Sequence, residues 1–592
     1  MSSLRFLLIA ALVLTRLAAQ ESIFLHVPDP KSKTRVELIS LFSQPPPSGF
    51  LPVRVTINNT SDKPGTVKIH TTSKDYGYRD SGSELDSSFS LTAPAESVTV
   101  QDLLIPCTTG LSAIGGGGSN NVSVRMTGSF GSNAGNLSAY GGPDQPAVLL
   151  STELFTRNAS ALDSALVGGG SSRYGRTNFA GKFDPRQMPE DWRAYAGYDG
   201  IGMTDSDWRD TNPGARNAIL QWNRLGGQLV IYALSANSDL SSLGIITDGG
   251  RVKNADRSFG RVAIIPISSD LQLDPTATVG RFNDPSNPAK IQSIRSDYGA
   301  GWPLQDAFGD QGYNYSLFVI ILIAFGILVG PVNLFVFAKS GRRHRLFITT
   351  PLIALGTSII LILIIIAMDG FGGRGVRVAL MEVRPDHDEN SAYVVQEQIC
   401  RTGVLLGGDF ELSEAATISP LPLEASQWTR LTQANDGGGM RYEIVPKNGK
   451  MEYDGDWFQS RSEQAQLVRS VIPTRGRIEA RSESGPPAFL STFEFRIDAF
   501  YYIDSSGGLW NAPDIEPGKS FVCTPALEAD FNAFTTAAAD EFSRRNRLAL
   551  LSLKNRRGHF IAVTSSASGV ETLPGIEWQN TRTYITGPIA QP

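Results

Sequence analysis

Residues Asn212 to Tyr232 read NPGARNAILQWNRLGGQLVIY, a helix followed at once by a strand. Asn212 and Pro213 are helix-start residues, and Ala215, Ala218, Ile219, Trp222 and Leu225 recur at helical spacing. Gly226 and Gly227 stop the helix. The run Gln228–Tyr232 that follows suits a strand buried on both faces. Working outward, Ala147–Ser151 (AVLLS), Tyr198–Thr204 (YDGIGMT) and Arg261–Ile265 (RVAII) are further short strands. Strands alternating with helices predict a parallel α/β layer over residues 143–302.

Upstream, over residues 21–142, the period changes to two. Leu51–Ile57 alternates, a turn rich in Asn, Pro and Gly follows, and Thr66–Ile69, Ser88–Thr92, Val98–Ile105 and Val122–Met126 continue the pattern. Short alternating strands of this kind predict an immunoglobulin-like β-sandwich. Gly115–Gly118 is a loop, because a phosphate cradle needs a following helix and lysine that are absent here. Residues 1–20 carry one early Arg, an apolar stretch and small residues before Glu21, the pattern of a secretory signal peptide.

Downstream, Ser316–Ala338 and Leu346–Met368 contain no charged residue, and each is long enough to cross about 30 Å of hydrocarbon as a helix. The turn 339–345 between them holds Lys339, Arg342, Arg343 and Arg345. Positive charge stays cytoplasmic, so the pair reads as a transmembrane hairpin with both large flanks outside the cytoplasm. Pro331 is expected to kink the first span and free a carbonyl that Asn333 or the second helix satisfies. Residues 376–592 read as a β-rich unit, with strands at Val376–Val383, Ala392–Val395, Phe493–Ile497 and His559–Val563 and one helix through Phe531, Phe534, Ala538, Phe542 and Leu548. The fold class is thus a multidomain α+β membrane protein.

Pro189–Tyr195 (PEDWRAY), Tyr198–Gly200, Thr204–Asp205, Ala218–Trp222 and Gly226–Val230, with Gly330–Asn333, the basic turn and Ile348–Pro351, carry a resemblance. Over roughly residues 22–400 the chain resembles exported, membrane-anchored bacterial proteins with a class I glutamine amidotransferase-like, flavodoxin-like domain. That resemblance implies an inner-membrane location and envelope protein partners. Family members are often encoded beside MoxR-type ATPases and von Willebrand-domain membrane proteins, so a system of that type is the implied partner.

The chemistry of an amidotransferase needs a nucleophilic Cys with a His base. The three cysteines are Cys107, Cys400 and Cys523, and no His lies between His70 and His344, so the α/β layer has neither residue. Gly175–Lys182 (GRTNFAGK) departs from a Walker loop in its glycine spacing and lacks the terminal Ser/Thr. One constellation remains: Asp199, Asp205, Asp207 and Asp210 around the carboxyl end of the second strand, where open α/β sheets bind ligands. Two readings stand, a carboxylate site for a divalent cation and ordinary capping of short helices by Asp207, Asp210 and Asn212. Cys400 and Cys523 pair in an oxidising compartment or stay buried as small apolar groups. His387 sits in a polar loop, with no second ligand cluster to make it a metal site. With 53 basic against 58 acidic residues, a basic nucleic-acid face is excluded. The expectation is a non-catalytic envelope binding or scaffolding protein without cofactor, touching the lipid bilayer; a metal-assisted hydrolase at the aspartates is the alternative.

Overall fold

The computed structural model describes residues 21–590 apart from 77–82, 109–117, 142–145, 169–177, 235–254, 258, 285–296, 299–300, 310–314, 339, 386–389, 424–439, 448, 482–484 and 568. The expected signal peptide, most of the Gly115–Gly118 stretch, the start of Gly175–Lys182, Lys339 and His387 lie outside the described residues.

Alternation builds the first two sheets. In the strand Gly49–Asn59, Leu51, Val53, Val55 and Ile57 are buried while Arg54, Thr56 and Asn58 are partly exposed. It pairs antiparallel with Arg35–Ser40 and Ser97–Cys107, and Glu21–His26 completes a sheet of four. A seven-stranded sheet faces it, in the order Phe410–Leu412, Lys450–Gly455, Arg441–Lys447, Glu84–Ala93, Gly65–Tyr76, Gly118–Gly128, Asn133–Gly141. Val36, Leu38 and Val53 from one sheet meet Ile69, Phe89 and Val124 from the other in a common core. Three strands of the larger sheet come from beyond the apolar helices: Arg441–Glu443 pair in parallel with Glu84–Asp86. The strand edge at Glu84–Ala93 is thereby completed by backbone pairing instead of being left open.

Five short strands form a parallel sheet: Val148–Ser151, Ala180–Phe183, Gly200–Thr204, Gln228–Ala233 and Gly260–Pro266. Numbered along the chain they stand in the order 2-1-3-4-5, with Ala255–Arg257 antiparallel at one edge. Val148–Ser151, Gly200–Thr204 and Gln228–Ala233 are buried at every residue, as cover on both faces requires. One face packs on the helices Thr152–Gly168 and Pro275–Phe282, the other on Trp208, Ala218 and Trp222. Ala180–Phe183 escapes an apolar-run search because its centre is Gly-Lys. The sandwich docks on it through Ser43 N donating to the Lys182 carbonyl at 3.1 Å. Nearby Gly197 has no substitute, since a Cβ there would lie 1.9 Å from the Ser48 carbonyl oxygen.

After the apolar helices comes a nine-stranded sheet, in the order Ala415–Pro420, Glu463–Pro473, Ser391–Thr402, Gly373–Arg384, Ile576–Pro588, His559–Thr564, Ile497–Ile503, Leu509–Ile515, Thr524–Pro525. All neighbours are antiparallel except Gly373–Arg384 with Ile576–Pro588. Two expectations are corrected. The stretch expected as a strand at Phe493–Ile497 lies before one that starts only at Ile497, and the single expected helix is two, Glu528–Ala539 and Arg544–Ser552. The break falls where Asp540 and Ser543 replace the apolar spacing. One hydrophobic core runs from the parallel sheet (Ile201, Leu229) to the nine-stranded sheet (Val378, Tyr393, Val395).

Two helices are long and apolar enough to cross a membrane, Phe318–Phe337 and Arg343–Ile364 by the described residues. The first changes from α (Tyr315–Ile327) to π (Leu328–Phe337) around Pro331, which has no N–H to give the ladder. Asn333 does not repair a freed carbonyl with its side chain. Its Nδ2 instead donates across to Thr350 Oγ1 of the second helix at 2.9 Å.

Candidate functional site

The four aspartates do not form one cluster. Asp199 precedes and Asp205 follows the strand Gly200–Thr204, so the length of the strand, about 3.3 Å per residue, separates them. At the amino end the Asp199 carboxylate accepts the Ala147 N–H at 2.8 Å, and its backbone joins Ala147 and Gln228. The buried residue thus stitches together the starts of three neighbouring strands.

At the carboxyl end the other three point to different partners. Asp205 is 2 % exposed and accepts from Leu234 N at 3.2 Å and from Arg209 Nη2 at 2.9 Å. Asp207 closes a capping box: its carboxylate accepts the Thr204 N–H at 2.9 Å and the Thr204 hydroxyl at 2.8 Å, while its own N–H reaches Thr204 Oγ1 at 3.0 Å. Thr204, not Asp207, is therefore the N-cap. Asp210, at the helix end, pairs with Arg186 at 2.7 Å on the surface, and Asn212 caps the next helix through the Ala215 N–H at 2.7 Å. Each carboxylate is held against a backbone N–H, a hydroxyl or a guanidinium, not against another carboxylate. Among the described residues no three His, Cys, Asp or Glu side chains lie close enough together to hold a metal ion.

A dense polar site lies elsewhere, against the nine-stranded sheet, and is built on Glu397. Its strand, Ser391–Thr402, is buried almost throughout, although Gln396-Glu397-Gln398 reads as the point where a strand reaches solvent. Glu397 is fully buried and accepts five donors: Trp302 Nε1 at 2.8 Å, Tyr298 Oη at 3.2 Å, Ser543 N at 3.0 Å, Ser543 Oγ at 2.6 Å and Asn546 Nδ2 at 2.6 Å. Trp302 and Tyr298 precede the apolar helices; Ser543 and Asn546 follow their end at Asp369 by about 175 positions. Beside this knot Arg545 pairs with Asp297 at 3.0 Å, with both side chains largely buried.

Burial drives the Glu397 carboxyl above the usual carboxylate range, and the hydrogen bonds from Ser543, Trp302 and Asn546 oppose it. Burial and the neighbouring Arg545 bring Arg469 down to about 10, with Asp199 pulling the other way. On the opposite face Gln396 Nε2 donates to Gln398 Oε1 at 2.8 Å, and Gln398 Nε2 to Gln466 Oε1 at 2.7 Å. The strand is polar at its centre on both faces because each face has polar partners waiting. Only the Gln-Glu-Gln interruption of an apolar strand marks this site in the sequence. Chemically, a carboxylate enclosed by five protein donors holds elements in place.

All three cysteines are buried free thiols, each pushed up to about 12, chiefly by burial. The Cys400–Cys523 disulfide is not formed, and the register explains why. Cys400 opposes Gly375, while Cys523 precedes Thr524, whose row runs through Asn511, Tyr501, Ile561 and Thr586 to Glu382. Many strand and residue steps separate the thiols, far beyond the roughly 7 Å Cα reach of a disulfide. A small cavity between sandwich and nine-stranded sheet, lined by Phe50, Cys107, Tyr442, Tyr453 and Trp457 among others, has room for about one water molecule.

No family model and no curated protein matches the chain. Among solved structures it is similar to a yeast delta-COP-I mu-homology domain complexed with a Dsl1 WxWxV peptide, at 10% identity over 36% of this chain and 96% of that one, TM-score 0.15. It is also similar to a Paenibacillus cycloisomaltooligosaccharide glucanotransferase complexed with cycloisomaltoheptaose, at 8% identity over 73% of this chain and 69% of that one, TM-score 0.18. At such TM-scores neither likeness brings a fold or a function to this chain.

Proposed function

We propose that the chain is a two-span protein of the bacterial cytoplasmic membrane, holding one extracytoplasmic body that binds or scaffolds envelope proteins without catalysis. The observation that carries this reading is the union of chain before and after the apolar helices. Glu397 bonds Trp302, and Arg441–Glu443 pair with Glu84–Asp86. Such contacts cannot be made through a bilayer, so both flanks belong on one side, as an even number of crossings requires. The basic turn Arg342–Arg345 supports a cytoplasmic assignment of the opposite side.

The parallel-strand order 2-1-3-4-5 is that of flavodoxin-like sheets, which supports reading residues 143–302 as a degenerate class I glutamine amidotransferase-like layer. Its chemistry has no Cys or His to run on. The rival hydrolase reading loses its support with the dispersal of the four aspartates. The partner is the envelope protein class that the resemblance implies, a MoxR or von Willebrand-domain system included.

The test is accessibility in intact cells. Cysteines at Lys63→Cys and Ser505→Cys should react with a membrane-impermeant maleimide, and Arg342→Cys only after permeabilisation. A split between positions 63 and 505, or labelling of all three in intact cells, overturns the topology. Glutamine-dependent ammonia release by the purified full chain, lost on a point substitution in the α/β layer, overturns the non-catalytic reading.

A further inference from the structure

We propose that the loop 403–408 is a lipid-contacting loop. Leu406, with Phe371, seats in the interfacial zone of the leaflet from which the helix Leu346–Asp369 emerges. The proposal rests on the two-span reading and adds a third membrane contact, made by the extracytoplasmic body itself.

The loop reads Gly403-Val-Leu-Leu-Gly-Gly408. Leu406 is 92% exposed and Phe371 63%, in the range of the apolar helix faces, where Phe347 is 84% exposed. Isolated exposed leucines need no explanation; the placement of this one does. The loop backbone is held to the exit of the second apolar helix, and the side chain of Arg401, just before the loop, reaches the segment ahead of the first. On the exit side Val404 N donates to the Gly370 carbonyl at 3.0 Å and Gly372 N to the Val404 carbonyl at 3.1 Å, which bridges Phe371 to Val404. On the entry side Arg401 Nη2 donates to the Gly309 carbonyl at 2.9 Å, and its guanidinium lies 4.7 Å from the Phe308 ring centre.

The turn depends on glycine. Gly372 has φ +77°, and a Cβ there would lie 2.4 Å from the Gly575 carbonyl oxygen, so glycine lets the chain take the turn that lays Phe371 beside the loop. Depth follows from length. The 24 residues of Leu346–Asp369 span about 36 Å, more than the roughly 30 Å of hydrocarbon, so the end of the helix reaches the headgroup zone. Phe371 and Leu406 are then level with the layer where exposed Leu and Phe side chains partition. A protein partner would find Leu406 only by displacing lipid at the foot of the hairpin, so the bilayer is the occupant this position favours.

The experiment uses the full chain in phosphatidylethanolamine/phosphatidylglycerol nanodiscs, with an environment-sensitive fluorophore on a single introduced cysteine; the native thiols are buried. Leu406→Cys is the test site, Phe335→Cys the control within the span, and Ser505→Cys the control at the far end of the sheet. We expect position 406 to show blue-shifted emission, at least several-fold stronger quenching by headgroup-proximal spin-labelled lipid than position 505, and weak quenching by aqueous iodide. Iodide quenching at 406 equal to that at 505, with 335 lipid-quenched, overturns the loop proposal and leaves the two-span reading standing. Protection of 406 from both quenchers means a protein covers it and overturns the proposal as well. Loss of lipid quenching at 335 overturns the two-span reading and this inference with it.

Discussion

Two acidic sites in this chain solve the same problem in opposite ways. At the carboxyl edge of the parallel sheet, Asp207 satisfies its carboxylate within three residues, on Thr204, and Asp205 holds Arg209 four residues on. Glu397 draws its donors from residues 95 to 149 positions away. The first arrangement costs one small loop if removed. The second joins chain from both sides of the apolar helices, and its removal strands donors in two distant segments at once. An acidic residue in a helix-start pattern is a local device, and a buried one inside a strand is a long-range tie.

The strongest way to break this comparison is Glu397→Leu in the full chain. Each buried donor left without its acceptor costs about 1–3 kcal/mol, and Glu397→Leu strands several, read as a lowered urea midpoint by tryptophan fluorescence. A loss no larger than that of the capping variants below would reduce Glu397 to another local residue.

A pH series sharpens the same point. Burial raises the folded Glu397 pKa above its unfolded value near 4.3, so the folded state binds the proton more tightly. Its stabilising contribution is therefore complete below the unfolded value and declines as pH rises through the folded one. Wild type should lose stability over that window relative to Glu397→Gln, which does not titrate. Parallel curves for the two proteins would show that the carboxyl is not shifted.

At the carboxyl edge the effects shrink. Asp207→Ala removes the N3 half of the capping box and should cost about 1 kcal/mol, and Asp207→Asn less, because the amide oxygen of Asn can still accept from Thr204. Wild type should show no rise in melting temperature with millimolar Mg²⁺ or Ca²⁺; a rise that Asp205→Asn and Asp207→Asn both abolish would restore the cation site and the hydrolase. Smallest is Asp210→Asn, which breaks an exposed pair with Arg186 and should change stability by about 0.5 kcal/mol or less. A larger loss would mean that this surface pair is part of something wider.

Much of the local structure is legible in the residues. Period-two strands such as Leu51–Ile57, the buried run Gln228–Tyr232, the Asn212 cap and two uncharged stretches of membrane-spanning length all follow from spacing between near neighbours. The strand at Ala180–Phe183 was not legible, since Ala-Gly-Lys-Phe has no apolar run and becomes a strand only because its neighbour pairs with it. The aspartates looked like one site because four acidic residues in twelve suggest proximity. A strand running between Asp199 and Asp205 undoes that, since extended chain carries residues apart faster than any other regular element.

Read alone, the sequence determined the periods, the caps, the uncharged spans and the missing Cys and His of the α/β layer, because each depends on residues a few positions apart. Tertiary structure alone decided that Arg441–Lys447 would extend a sheet begun at Gly65–Tyr76, that Cys400 and Cys523 would stand far apart, and that Glu397 would be buried. Those outcomes turn on which distant strands pair and in what register. No local pattern encodes this, because a strand's free N–H and C=O groups are the same whatever their side chains and accept any edge that the packing brings to them.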